Sequence, residues 1–294
     1  MEECRLCPRR CGAARDAERG RGFCGLPETM RIARIRPHLW EEPPVSGTRG
    51  TGAVFFSGCT LRCVYCQNHA ISHRGEGRAF TPRELADSLR RLADAGMQSI
   101  SFITATPYVP QVLETLALYR PPVPVVWNSS GYETVETLRR LEGAVDVYLP
   151  DLKHRTERMG RLCAGAPDYF EAASAAIREM VRQTGLPLYD GEGIMTRGTL
   201  IRHLILPGCT SESIALLDWV AEALPAGIPV SLMRQYVPMG DLSALPGLRR
   251  RITPREYRRV LEHMAALGLP GFLQDPASAA EDFVPAFNTD DSFI

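Results

Sequence analysis

Residues 59–66 carry three cysteines, Cys59, Cys63 and Cys66, spaced C-x3-C-x2-C directly after an apolar run at 53–57. Three thiolates on one short loop can hold three corners of an iron–sulfur cluster and leave the fourth iron open. Structural zinc takes four ligands, usually as two close pairs. Here His69 would have to serve as the fourth, at an unusual spacing. Arg62, Gln67 and Asn68 make the loop polar, which argues against inert buried thiols. A second set, Cys4, Cys7, Cys11 and Cys24, is spaced C-x2-C-x3-C-x12-C. Its segment has few apolar residues and cannot build a core alone, so a bound metal would fold it. Tetrathiolate zinc and a second [4Fe-4S] cluster both satisfy that spacing. Cys163 and Cys209 stand alone and read as packing or loop residues.

The cysteine loop needs a scaffold, and the rest of the chain supplies one by alternation. Strand-like runs occur at 52–57, 98–104, 123–127, 145–149, 199–206 and 228–236, with a weaker one at 270–274. Continuous apolar runs suit parallel strands covered on both faces. Helical patterns lie between them, at 110–119, 133–141, 167–184 and 211–223. Another follows Thr81-Pro-Arg-Glu84, a capping box with Pro82 at the first position. Its Leu85, Leu89 and Leu92 share one face, and Gly96 is a suitable stop. The same start recurs at 253–256. Repeated strand–helix–strand units require right-handed crossovers and a parallel sheet. The expected fold is therefore α/β, a TIM-like barrel or partial barrel, with ligands at the C-terminal ends of the strands. A Cys-rich arm (1–48) precedes a barrel with a C-terminal extension (49–294). The tail at 281–294 has no clear period.

Polar residues at the strand ends are the other candidates. Asn128, Ser129 and Ser130 follow the third strand, where small polar groups can bond a sugar or simply form a turn. Asp151 and Lys153 end the fourth strand on one side of the chain, where burying either without a partner is costly. Arg202 interrupts an apolar strand and needs an anion: a ligand carboxylate or a salt bridge to Asp151. His203 faces the other way and reads as structural. Gln235 and Tyr236 lie near the last strand end.

The totals exclude several classes. The chain has 294 residues and zero formal net charge, which gives no field for nucleic acid or anionic membrane. No run reaches transmembrane length, and the N-terminus lacks an apolar signal region. A cytoplasmic, reducing setting is expected, where clustered cysteines bind metal rather than pair.

C-x3-C-x-aromatic-C, with Tyr65 as the aromatic, resembles the signature of radical S-adenosylmethionine (SAM) enzymes. Further stretches (TPYVPQ, NSSGYETVETL, VDVYLPDLK, IRHLILPG and LMRQYVP) make most of the barrel similar to glycyl-radical-enzyme activases, in the pyruvate-formate-lyase-activating subgroup. The resemblance implies a partial (β/α)6 barrel whose first strand leads into the cysteine loop. It implies a [4Fe-4S] cluster on Cys59, Cys63 and Cys66 whose open iron binds SAM. Reductive cleavage there gives methionine and a 5′-deoxyadenosyl radical that abstracts hydrogen. Tyr65, Asn68, Thr104, Thr106, Asn128, Ser130, Asp151, Lys153, Arg202 and Gln235 would line the cofactor site. Activases carry a Gly-Gly-Glu-like segment after the second strand. Here that position reads Thr104-Ala105-Thr106, so hydroxyls or carbonyls would take the amino contact. The implied partners are a glycyl radical enzyme and an electron donor such as flavodoxin or ferredoxin. Two readings stand beside it: radical chemistry on a small molecule, peptide or RNA, and a non-catalytic metal-stabilised binding module.

Overall fold

The computed structural model describes residues 4–274, 287 and 292–294, so most of the tail lies outside the described residues. In chain order the first half contains β1 (Met30–His38), α1 (Pro43–Ser46), β2 (Thr51–Phe56), α2 (His69–Ser72), β3 (Arg78–Phe80), α3 (Pro82–Asp94), β4 (Ser99–Ile103), α4 (Val109–Leu118), β5 (Val125–Ser129), α5 (Val135–Arg140) and β6 (Val147–Pro150). The second half contains α6 (Glu157–Ala164), α7 (Tyr169–Thr184), β7 (Leu188–Tyr189), β8 (Met195–Thr199), β9 (Ile201–Leu204), α8 (Thr210–Ala223), β10 (Val230–Met233), α9 (Pro254–Ala266) and β11 (Gly271–Leu273).

One sheet runs β3-β1-β2-β4-β5-β6-β8-β7, and a second runs β11-β10-β9. The pairs β2–β4, β4–β5, β5–β6, β9–β10 and β10–β11 are all parallel. The two sheets meet where β6 runs on past Pro150: Asp151 bridges Arg202, and the Leu152 N–H donates to the Arg202 carbonyl at 2.8 Å. The parallel order is therefore β2-β4-β5-β6-β9-β10, with β11 at the far edge. No pairing joins β11 to β1 or β3 among the described residues, so the barrel stays open on that side.

All seven expected strands form. The buried faces of β2, β4, β5 and β6 pack against α3, α4 and α7 through Val54, Phe56, Phe102, Trp127, Tyr148 and Met180. On α3, Leu85, Leu89 and Leu92 are fully buried, each contributing on the order of 2 kcal/mol. Thr81 and Glu84 close the expected capping box, as do Thr253 and Glu256 on α9.

The structure differs from the sequence reading in three places. Within residues 1–48, β1 is a full strand of the main sheet, antiparallel to β2. Arg31, Arg34 and Arg36 had hidden its inward Ile32 and Ile35. Helix α6 forms before α7, capped by the Thr156 side chain and ended by Gly165 in the left-handed region. The β7–β8 hairpin intervenes before β9.

Candidate active site

The loop after β2 turns at Gly58, whose φ is +78° and whose missing Cβ would sit 2.4 Å from the Leu26 Cδ1 atom. Glycine is required there on both counts. The loop is then pinned to α6. The Arg62 N–H donates to the Ala164 carbonyl at 3.0 Å, and the Val64 N–H to the Cys163 carbonyl at 2.9 Å. The Arg62 guanidinium closes the turn on the carbonyls of Cys59 and Leu61, each at 3.1 Å.

This geometry brings Cys59, Cys63 and Cys66 onto the wall of one cavity of about 560 Å³ inside the barrel. Burial pushes the Cys59 thiol up to about 11 and Cys63 higher still, while the Lys153 ammonium opposes both shifts. Half-buried thiols raised in this way hold their protons until a metal supplies positive charge. The buried Asn68 Oδ1 lines the same cavity and has no hydrogen-bond partner among the described residues.

The facing wall comes from the ends of β4, β5 and β6 and from Arg202 near the start of β9. Lys153 Nζ lies 2.5 Å from Asp151 Oδ2, and Arg202 Nε lies 2.8 Å from Asp151 Oδ1. Arg202 Nη2 also donates to Asn128 Oδ1 at 2.8 Å. Burial would raise the Asp151 pKa, but Arg202 and then Lys153 outweigh it and hold the carboxyl below its usual range. Burial likewise opposes the charge on Lys153, and Asp151 more than restores it. Arg202 thus makes the salt bridge to Asp151, one of the two partners anticipated for it. His203 points away, with Nδ1 on the Leu152 carbonyl and Nε2 on Ser213.

Thr104, Ser130 and Gln235 also line the cavity. Thr104 has φ +61°, which for a β-branched residue costs about 1–2 kcal/mol. Its N–H donates to the Asn128 carbonyl at 2.9 Å, so the strained turn is tied to the next strand. Gln67 Nε2 reaches the Gln235 carbonyl at 3.1 Å. Tyr65 is buried, its hydroxyl 3.2 Å from His154 Nε2. Thr106 corrects the sequence reading: it lies off the cavity wall, buried, and its hydroxyl donates to Glu133 at 2.7 Å. A 3-10 turn at Thr106–Tyr108 carries it away from the strand end. The sequence reading also missed Glu41 and Glu42, which line the cavity from the loop after β1.

The arm docks on the cysteine loop. Cys4, Cys7, Cys11 and Cys24 line a second, small cavity together with Arg9, Phe23 and Thr60. Arg9 Nε donates to the Thr60 carbonyl at 3.1 Å, and its guanidinium lies 3.8 Å over the Phe23 ring. Burial first, and then the other three thiols, push Cys7 up to about 12.

A family model for the radical SAM superfamily matches residues 53–220, a span running from β2 and the cysteine loop through β9 into α8. The chain belongs to the radical SAM superfamily. An uncharacterised protein of Methanocaldococcus jannaschii is 30% identical over 274 residues, 89% of this chain and 74% of that one. A radical SAM methyltransferase from Sphaerobacter thermophilus superposes with TM-score 0.51 at 16% identity, over 76% of this chain and 66% of that one. The anSMEcpe protein, bound to AdoMet and the Cp18Cys peptide, gives TM-score 0.50 at 12% identity over 74% and 60%. The chain thus spans less than two thirds of either solved structure, and both show the fold alone. As a radical SAM enzyme the protein is not the non-catalytic module held as an alternative. The family implies a [4Fe-4S] cluster and SAM, and the donor set fits them: three thiols, an unpaired buried acceptor and an opposing ammonium share one cavity. Among the described residues no helix is long and apolar enough to cross a membrane.

Proposed function

We propose that this enzyme abstracts hydrogen from a polypeptide segment presented at the open side of its barrel. A glycine of a partner enzyme would be the activase form of that reaction. One observation carries the reading. The three thiols and the Asp151–Lys153–Arg202 network share a cavity that Trp40 and Leu273, both exposed, also line. Exposed apolar side chains in the lining suit an extended chain. A solved neighbour in fold, anSMEcpe, holds a peptide.

Cys59, Cys63 and Cys66 hold the cluster in this reading, with Lys153 offsetting thiolate charge. When bound, the cluster and SAM supply a one-electron cleavage and a carbon radical that abstracts hydrogen. The protein fixes the surroundings. Arg202 holds Asp151 and Asn128 in place, Asp151 holds Lys153, and Thr104 is locked against β5. Buried Tyr65 and the neutral His154 close the cysteine side against water. The electron comes from a low-potential donor such as flavodoxin or ferredoxin.

The arm holds a second metal centre in this reading. Among the described residues no three His, Cys, Asp or Glu are gathered for a single metal ion, and that includes Cys59, Cys63 and Cys66. The arm's four thiols would take either tetrathiolate zinc or a second iron–sulfur cluster.

A second reading, a small-molecule substrate, is favoured by cavity size alone, since about 560 Å³ is in the usual ligand range. The test is anaerobic reconstitution followed by dithionite, SAM and a peptide library, with 5′-deoxyadenosine quantified. Peptide-stimulated formation, absent from the Cys59→Ala, Cys63→Ala, Cys66→Ala variant, supports the proposal. Stimulation by small metabolites but by no peptide supports the second reading.

A further inference from the structure

The cavity has a second group of polar side chains, carried by the segment that follows β1. β1 runs antiparallel to β2, and His38 pairs with Thr51, the first residue of β2, whereas Cys59 lies beyond its last. Residues 39–46 therefore leave at the end of the barrel opposite the cysteine loop. They close it there: Val45 packs with Val126, Val147 and Leu200, and its carbonyl accepts the Ser99 hydroxyl at 2.8 Å.

Two carboxylates project from this plug into the cavity. The side chains of Glu41 and Glu42 are only 5% and 6% exposed. Glu41 accepts from Asn128 Nδ2 at 2.9 and 3.0 Å. Arg202 meets Glu41 at 3.7 Å and Glu42 at 3.9 Å, long contacts, because its close bonds go to Asp151 and Asn128. Three carboxylates thus face two cations. The neighbouring His38 adds no charge, since burial, and then Arg34 and Arg202, hold its pKa down at about 4. Burial pushes Glu42 up to about 7, against the pull of Arg202.

An independent observation marks the same spot. Ser46 is 2% exposed, lines the cavity, and its hydroxyl has no hydrogen-bond partner among the described residues. The same is true of Glu42 Oε2. A buried acceptor left unpaired costs about 1–3 kcal/mol, more when charged, so two together mark a place built for a donor. A proton on Glu42 balances part of the buried charge, and a cationic donor balances the carboxylates in place of that proton. An ammonium carries three N–H donors and no acceptor, which matches Glu41, Glu42 and Ser46. Leu39, Trp40, Phe272 and Leu273 line the same cavity and suit a methylene stem.

We infer that Glu41, Glu42 and Ser46 bind a primary ammonium group at the end of an alkyl chain, either a lysine side chain of a polypeptide or a free amine. That this amine belongs to the substrate rests on the radical SAM reading above; the binding itself does not.

The test uses the whole chain, reconstituted anaerobically and held oxidised with SAM. Ligand-observed NMR titrations use 1-aminopentane, with 1-pentanol as the uncharged control and acetyl-lysine amide as the peptide-like probe. The amine should bind in roughly the millimolar range, and Glu42→Gln should weaken it about tenfold or more, Ser46→Ala about threefold. Pentanol should not compete, and SAM affinity should not change in Ser46→Ala. Tighter binding of acetyl-lysine amide than of the amine assigns a polypeptide source; weaker binding assigns a free amine. Circular dichroism checks that both variants fold, and Ser46→Ala stands as the test if Glu42→Gln does not. Undiminished amine affinity in the folded variants, equal binding of pentanol, or a parallel loss of SAM affinity in Ser46→Ala would each overturn the inference. Amine binding that persists in Cys59→Ala, which lacks radical chemistry, shows that the two readings fail separately.

Discussion

The two ends of the cavity are built in opposite ways. At one end three thiols arrive on a single eight-residue loop, held by its own turn and by α6. At the other, Glu41 meets Asn128, 87 residues away, only because β1 turns antiparallel to β2 and returns the chain beneath the barrel. The first end depends on local spacing and so tolerates a changed surrounding. The second depends on topology and on balance among buried charges, so a change to any member disturbs the rest.

The largest effect tests the cysteine end. Replacing Cys59, Cys63 or Cys66 by alanine should reduce 5′-deoxyadenosine formation to the level of cluster-free protein, with the apoprotein's unfolding midpoint nearly unchanged. A large loss of apoprotein stability would show that the loop is part of the folding core.

At the carboxylate end the order of effects reverses. Arg202→Met leaves Asp151 and the glutamates without their shared cation and should cost about 3–5 kcal/mol in denaturant unfolding. A cost below about 1 kcal/mol would mean that these carboxylates are already neutral or hydrated in the fold.

The pH dependence separates the two ends more finely. His154, beside the cysteine end, is held neutral to about 3, mainly by burial and then by Lys153. His38, at the other end, is held neutral to about 4. Both have depressed folded pKa values, so the unfolded chain takes up protons first, near 6.5. The stability these two histidines contribute is therefore full above that value and is lost as the pH falls towards about 3. Melting temperature against pH should fall on the acid side, and His154→Gln should flatten that limb. An unchanged limb would mean that His154 is protonated or solvated in the folded state.

The smallest effect is a control. Thr253→Ala removes the cap of α9, remote from both ends, and should cost about 1 kcal/mol with SAM binding intact.

How far the sequence could be read follows the same division. Cys59, Cys63 and Cys66 announce themselves by spacing, and Asp151, Lys153 and Arg202 by being charged where strands end. The parallel strands were legible as uninterrupted apolar runs. β1 was not, because a strand with one solvated face alternates, and its arginines read as a polar arm. Thr106 was misplaced because a strand end and the first turn of a helix look alike in a Thr-Ala-Thr-Pro stretch. Glu41 and Glu42 lie between Leu39-Trp40 and two prolines, a short stretch with no strand or helix period to signal that they are buried. Their partners lie on β5 and β9, a fact of topology alone.

The most direct measurement is electron paramagnetic resonance of the reduced protein with the arm cysteines removed (Cys4→Ser, Cys7→Ser, Cys11→Ser, Cys24→Ser), with and without SAM. The account predicts one [4Fe-4S] signal whose g values shift when SAM is added, because the cluster on Cys59, Cys63 and Cys66 has an open iron. A cluster signal that SAM leaves unchanged would contradict it.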